Sequence, residues 1–303
     1  MDFTLTDDQS ALVDAIDRLA QPFNDKPIDF HGFALHGDAL EAALADGEYF
    51  DIAAIPEYGP TAAALAVARL AQSPFAVEAA LSMLLRHHLP GDDWPRPLAV
   101  VENGRPGRFV AQAKTLIVID GERIGLARPA PDMVEAVDSI FAYPMGRLVG
   151  APAITWLDDT QAALVRQWLR VALAAEAGGL LQAALASTVE HVSVRKQFGR
   201  PIGTFQALRH RLAECAVLAG GVRWLALKAA STGDAGDAAL AAAHAQESAT
   251  RVVYDLHQML GAMGMTLEHP LHLWTYRLKA LLSQLGGRGG QAQAVAQYCF
   301  EAA

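Results

Sequence analysis

Apolar residues recur at helical spacing through residues 1–88, which predicts an N-terminal helical domain. Thr6, followed by Asp7 and Asp8, is typical of a helix start, since its hydroxyl can accept from backbone N–H groups and acids suit the first turn. The runs TAAALAVARLA and AVEAALSMLLRHHL are apolar on more than one side and predict buried helices.

The pattern changes to short β-branched runs between dense Pro and Gly over residues 89–150, which predicts a reduced middle β domain. The runs are LAVVE, RFVAQA, TLIVID and SIFAYP. Asp120-Gly121 stands between two apolar runs and predicts a β-hairpin at that point.

Helical spacing returns over residues 151–303 and predicts a C-terminal four-helix bundle of long helices joined by short turns. The fold class is therefore mainly α with a small β module. The predicted starts and breaks are a cap at Asp158–Thr160, a second helix near Thr204, a turn at 231–237, a third helix ending near Gly261 to Gly264, a fourth after Pro270, and a break at 286–290 before a final helix.

Composition and charge exclude several classes of protein. The chain has 303 residues, 52% of them hydrophobic, so it can bury a core and is not intrinsically disordered. Its net charge of −9, without a basic run, argues against a nucleic-acid partner. The two cysteines, Cys215 and Cys299, cannot form a disulfide scaffold, and no Cys/His spacing predicts a metal site.

The chain is expected to be cytoplasmic, because its sequence predicts neither a signal peptide nor a membrane span. The N-terminus is acidic and amphipathic, unlike a signal peptide. The most apolar stretch, Val171–Val189, includes Glu176 and Gln182, and its patterning is helical rather than lipid-facing, so no membrane association is expected.

The densest polar cluster lies at residues 195–214, RKQFGRPIGTFQALRHRLAE, between two predicted helices. Guanidinium groups and free N–H groups at a helix start can bind a phosphate or pyrophosphate. A charged, solvated corner between helices explains the same residues.

This segment resembles a signature of the acyl-CoA dehydrogenase family, R-x-Q-F-G-x-P-I-x-x-F-Q-x-x-x-x-x-L-A. Residues 257–281 are similar to the family's Q-x-x-G-G-x-G-x-x-x-E-x-P segment, and the N-terminal D-F-x-L-T-x-x-Q is similar to a common family opening. The order of helical part, β part and bundle is also that family's. The resemblance implies FAD as cofactor, shared between subunits.

The resemblance implies which residues would hold FAD. In the family, the signature turn and the Gln-x-x-Gly-Gly segment both reach the FAD of a neighbouring subunit. Alanine stands here for the second glycine of that segment. The corresponding residues in this chain are Arg195, Gln197, Phe198, Gln206, Gln258, Gly261 and Ala262.

The family's catalytic glutamate is absent from both of its usual places. The loop after the fourth bundle helix reads Gln284-Leu285-Gly286-Gly287, and the alternative position on the first bundle helix is Leu169. The neighbouring arginine is kept as Arg170, a candidate contact for substrate. Glu176 is a candidate relocated base or a structural residue between helices, and Glu268 is expected to be structural.

These departures suggest the shortened subunit of a heteromeric acyl-CoA dehydrogenase of the steroid type. Such a subunit would pack against a related full-length partner in an α₂β₂ assembly and complete the partner's FAD site, while the partner supplies the base. An acyl-CoA substrate and an electron-transfer flavoprotein follow from the resemblance. The alternatives are a homomeric dehydrogenase that uses Glu176 as base, and a non-catalytic structural paralogue.

Overall fold

A computed structural model describes residues 4–24, 29, 31–33, 36–91 and 94–301. The first two residues of the N-terminal family opening, Asp2 and Phe3, lie outside the described residues. The helices are α1 Asp7–Asn24, α2 Asp38–Asp46, α3 Gly59–Ala71, α4 Ala80–Leu84, α5 Asp159–Val194, α6 Gln206–Thr232, α7 Ala235–Leu260, α8 Leu271–Leu281 and α9 Gly287–Ala296.

Among the residues that the structure describes, the strands form two small sheets and one hairpin. They are β1 Leu98–Glu102, β2 Gly107–Arg108, β3 Thr115–Asp120, β4 Arg123–Ala127, β5 Val134–Val137, β6 Met145–Leu148, β7 Ile154–Trp156, β8 Lys196–Gln197 and β9 Arg200–Pro201. The first sheet has the order β1-β3-β4-β7, with β1 and β3 parallel and the other pairs antiparallel. The second is antiparallel with the order β2-β6-β5.

This architecture confirms the predicted fold class, mainly α with a small β module. The division at residues 88 and 150 stays a prediction. β7 pairs with β4 and therefore adds a strand beyond residue 150 to the sheet of the middle region.

Local signals placed several elements correctly. Thr6 Oγ1 accepts from the Gln9 N–H at 3.2 Å and Gln9 Oε1 accepts from the Thr6 N–H at 3.2 Å, a reciprocal capping box at α1. Asp158 caps α5 by accepting from the Gln161 N–H at 2.8 Å. β3 and β4 form the expected hairpin, but Asp120 pairs with Arg123, so the turn residues are Gly121 and Glu122.

The last part of the bundle differs from the prediction. The fourth helix, α8, has only 11 residues, and α9 begins inside the glycine-rich segment that was expected to break the chain. The reversal lies at Leu285, Gly286 and Gly287, all at positive φ. The backbone therefore changes direction before the remaining glycines, which are free to be helical.

α5 is the central element of the core. It packs against α3, α6, α7 and α8, and one buried apolar cluster joins the N-terminal helices to the bundle. By length and composition this helix could cross a membrane, but 78% of its most apolar window is buried inside the fold. That burial is typical of the core helix of a soluble protein.

Candidate functional site

The signature turn folds as a two-residue hairpin between β8 and β9. Gln197 pairs with Arg200, and the loop residues Phe198 and Gly199 have φ of +54° and +79°. Two central residues at positive φ are typical of the type I′ turn, which matches the twist of the flanking strands. Gly199 adopts this conformation freely, whereas Phe198 adopts it at a cost of about 1–3 kcal/mol.

Phe198 projects from this hairpin with 87% of its surface exposed. Its ring lies nearly perpendicular to the Phe205 ring, at 6.0 Å between centroids, and the Arg200 guanidinium covers the Phe205 ring at 4.2 Å. An exposed phenylalanine at positive φ is unfavourable in an isolated chain, so its position suits a contact outside the chain.

The backbone of the turn is fixed while its arginine side chain reaches solvent. The Arg195 N–H donates to the His191 carbonyl at 2.9 Å, and the Ile202 N–H donates to the Arg195 carbonyl at 2.8 Å. Within the described residues, no carboxylate forms an ion pair with Arg195. Arg195, Gln197 and Gln206 are all exposed. The guanidinium is therefore available to bind an anion.

The second family segment lies at the end of α7 and forms one wall of a groove of about 550 Å³. Gln258, Gly261 and Ala262 line it together, and their predicted contact with FAD stays a prediction. Gly261 ends α7 at φ +60°, and a Cβ on Gly264 would lie 2.5 Å from the His257 carbonyl oxygen. The remaining lining residues are Thr250, Val253, Tyr254, His257, Gly264, Met265, Tyr276, Lys279 and Leu282.

Sequence reasoning missed the other walls of this groove. Tyr254 precedes Gln258 by one helical turn, a spacing that could have indicated it. Tyr276 and Lys279 come from α8, and His257 connects to that helix through Nε2, 2.9 Å from Thr275 Oγ1. The groove is not lined by any of the turn residues Arg195, Gln197, Phe198 and Gln206. The two family segments therefore do not share one pocket in this chain.

A pair of histidines connects the two segments. His191, near the end of α5, meets His269 edge-on at 5.4 Å between ring centroids. His269 Nδ1 accepts from the Leu271 N–H at 3.2 Å, which requires that nitrogen to be unprotonated. Burial, with the nearby His191 and His272, lowers the pKa of His269 to about 4.

Acid is therefore expected to destabilise this corner of the fold. Because the folded pKa lies below the unfolded value of 6.5, the stability from neutral His269 is present above pH 6.5 and is lost as the pH falls toward 4. Allowing for solvent screening, the loss is about 1 kcal/mol. We expect His269→Asn, which keeps an acceptor, to reduce the fall in unfolding temperature over this range. Parallel curves of unfolding temperature against pH for the two proteins would contradict this expectation.

Arg170 lies elsewhere, buried against α9. Its Nε donates to Gln291 Oε1 at 3.0 Å, and its side chain lines a separate cavity of about 460 Å³. The cavity also borders the loop in which the family base was expected. There the Glu102 carboxylate accepts from the Leu285 and Gly286 N–H groups at 2.9 and 3.0 Å. Glu102 lies far away in the sequence, so no local pattern could have placed it here.

Glu176 is held in a closed network rather than in a cavity. It pairs with Arg108 through one carboxylate oxygen and accepts from the Tyr143 hydroxyl at 2.6 Å through the other. The space beside it, about 10 Å³, does not admit a substrate. This geometry supports the structural interpretation of Glu176 over the catalytic one. Glu268 is exposed, and no His/Cys/Asp/Glu cluster suited to a metal occurs in the described part of the chain.

Comparisons with known proteins agree with the signature segments. Residues 161–297 match the family described as "Acyl-CoA dehydrogenase, C-terminal domain". Acyl-CoA dehydrogenase FadE34 of Mycobacterium tuberculosis is 33% identical, over 49% of this chain and 22% of its own length. Acyl-CoA dehydrogenase IpdE2 of Mycolicibacterium smegmatis is 32% identical, over 57% of this chain and 55% of its own length. The chain thus matches about a fifth to a half of these relatives.

The fold as a whole is similar to that of solved glutaryl-coenzyme A and butyryl-CoA dehydrogenases, each with a TM-score of 0.76. A chain of the ChsE4-ChsE5 complex from Mycobacterium tuberculosis aligns with a TM-score of 0.76 and 21% identity, over 99% of both chains. At this identity the likeness establishes the fold. The match over residues 161–297 confirms the resemblance to the acyl-CoA dehydrogenase family that the sequence indicates.

Proposed function

Because residues 161–297 match the acyl-CoA dehydrogenase C-terminal domain, we propose that the chain is a subunit of an FAD-dependent acyl-CoA dehydrogenase. In this proposal it completes the FAD site of a related partner subunit, in a cytoplasmic α₂β₂ assembly. The observation that carries it is the outward-facing hairpin, with its strained, exposed Phe198 and the exposed guanidinium of Arg195.

The residues present fit the pyrophosphate part of FAD. Arg195 offers a guanidinium for a pyrophosphate, Gln258 offers an amide, and Gly261 allows a close approach of backbone to ligand. Bound FAD would supply acceptance of a hydride from the β-carbon of an acyl-CoA, with electrons then passing to an electron-transfer flavoprotein. Removal of the α-proton is assigned to the partner, since Glu176 is enclosed.

An exposed apolar face supports a partner subunit. On α6, Ala213, Val217, Gly220 and Trp224 follow one another on one side of the helix, and Val217 is 74% exposed. Tyr254 is exposed on α7, which runs antiparallel to α6 and is joined to it by Arg211–Asp255 at 3.3 Å. Such large exposed apolar side chains are typical of an interface.

The test is the amount of FAD per polypeptide, measured on the chain alone and after co-expression with a candidate partner encoded beside it. A chain that is free of FAD alone, but forms a complex with half as many FAD molecules as chains, would support the proposal. A full complement of FAD in the chain alone would contradict it. No FAD and no complex would favour the structural paralogue.

Removing the side chains of the turn is expected to release FAD from the complex. Arg195→Ala removes a charge-assisted hydrogen bond, worth about 1.5–3 kcal/mol, so we expect FAD to bind about 10- to 100-fold more weakly. Phe198→Ala is expected to weaken both FAD retention and assembly. The control is Arg105→Ala, an exposed arginine in the β module, which should leave both unchanged. Equal FAD retention in all three variants would sink this assignment.

A further inference from the structure

The cavity around Arg170 is separate from the groove and from the hairpin. It lies between α5, the β3–β4 turn and α9, and its volume of about 460 Å³ is within the range of small-molecule sites. Apolar atoms of Ala162, Leu285 and Ala294 contribute to its wall, together with polar groups of Tyr298 and Gln297. The cavity can therefore accept a ligand with an apolar body and a polar head.

Arg170 carries a buried charge into this cavity. Only 6% of the residue is exposed, and burial lowers the pKa of its guanidinium. Its Nε is held by Gln291, whose amide donates to the Leu285 carbonyl at 2.9 Å, and the Tyr298 ring lies 5.8 Å from its Cζ. Across the described residues, no carboxylate forms an ion pair with Arg170. A hydrogen bond with Tyr298 opposes the effect of burial on this pKa but supplies no negative charge. A buried charge without a counter-ion is costly, so an anion in the cavity would offset that cost.

The acidic residues on the wall are already engaged. Both oxygens of Glu102 accept from backbone N–H groups of the 285–286 turn, and Glu122 Oε2 lies 3.6 Å from an Arg166 nitrogen. Asp159 is the first residue of α5, where the helix dipole offsets a negative charge. These partners leave the positive charge of Arg170 available to a ligand.

We propose that this cavity binds an organic anion, with a carboxylate on Arg170 and an apolar body against the Ala162 and Ala294 side. A carboxylate matches the planar fork of a guanidinium. The inference rests on the proposed function, in which the substrate is an acyl-CoA, and on Arg170 as a candidate contact for that substrate. It narrows the ligand to an acyl group or organic acid that carries a free carboxylate. Its test requires neither FAD nor a partner, so its failure and that of the proposed function are distinguishable.

The first experiment is isothermal titration of the chain alone with 4-phenylbutyrate, its neutral amide 4-phenylbutyramide, and inorganic phosphate. We expect the carboxylate to bind and the amide to bind about tenfold more weakly or not at all, since the amide leaves the buried charge unpaired. Equal binding of carboxylate and amide, or no binding of the carboxylate by the folded chain, would overturn the proposal. Binding of phosphate without the carboxylate would also overturn it.

The second experiment uses Arg170→Gln, which keeps a donor for Gln291 and removes the charge. We expect carboxylate binding to weaken about tenfold or more, while the unfolding temperature without ligand stays equal or rises, because an unpaired buried charge has been removed. Arg209→Gln, at an exposed position on α6, should change neither quantity. Unchanged carboxylate affinity in Arg170→Gln would contradict the assignment. If Arg170→Gln does not fold, the comparison of 4-phenylbutyrate with its amide on the parental chain still tests the proposal.

Discussion

Replacing Glu176 by glutamine is expected to lower the free energy of unfolding by about 3–5 kcal/mol, the effect of breaking a buried ion pair by removing one partner. The substitution leaves Arg108 charged and buried, and weakens the hydrogen bond from Tyr143. Burial disfavours the Arg108 charge, but Glu176 outweighs it and raises the pKa of that guanidinium above its usual range. Urea or thermal unfolding of the chain measures the loss.

A double-mutant cycle separates this pair from a general weakening of the core. Glu176→Gln combined with Arg108→Gln should be less destabilising than the sum of the two single changes, because the double variant leaves no unpaired charge. The control is Glu190→Gln, an exposed position on the same helix, which should change stability by less than about 0.5 kcal/mol.

The same variant tests the homomeric alternative. If Glu176 were the base, its replacement by glutamine would abolish turnover while stability and FAD content stayed near those of the parental protein. If Glu176 instead serves only in the ion pair, its replacement lowers stability, and any loss of turnover follows from unfolding. A stable, FAD-loaded but inactive Glu176→Gln protein would therefore restore the catalytic interpretation.

Local signals in the sequence predicted what depends on local geometry. The cap at Asp158 and the hairpin of β3 and β4 each follow from neighbouring residues, and the structure shows both. The turn expected between α5 and α6 is also present, but its two-stranded hairpin form was not predicted. Gln258 and Gly261 share a groove because one helix end holds both. A family motif identifies such local geometry from a few neighbouring residues.

Contacts between distant segments could not be predicted in this way. Glu102 meets the 285–286 turn and Arg108 meets Glu176 only because the β module packs on the bundle, and no spacing in the chain indicates either pair. The start of α9 within a glycine-rich run has a similar cause. Three residues at positive φ, the last of them the first residue of α9, turn the chain at the start of this helix. Packing against α7 then supports a helix of low intrinsic propensity.

Arg277 is the residue whose replacement is expected to have the other large effect. It is 2% exposed on α8, and its guanidinium donates to the carbonyls of Ser73, Pro74 and Phe75 at 3.1, 2.6 and 3.2 Å. Burial lowers its pKa to about 10, so it remains charged at neutral pH. One side chain thus connects the segment between α3 and α4 to the helix that forms a wall of the groove.

We expect Arg277→Met to lower the free energy of unfolding by about 3 kcal/mol, since three carbonyls lose their donor while the cost of burying the charge is relieved. Arg277→Lys should recover only part of this, because an ammonium cannot present the same fork of donors. Hydrogen exchange should increase at α8 and at residues 73–75 before the rest of the bundle. Lys279→Met, an exposed position on α8, is the matched control and should change stability by less than about 0.5 kcal/mol. Equal stability of the Arg277→Met and Lys279→Met variants would show that these hydrogen bonds do not hold α8 against the N-terminal helices.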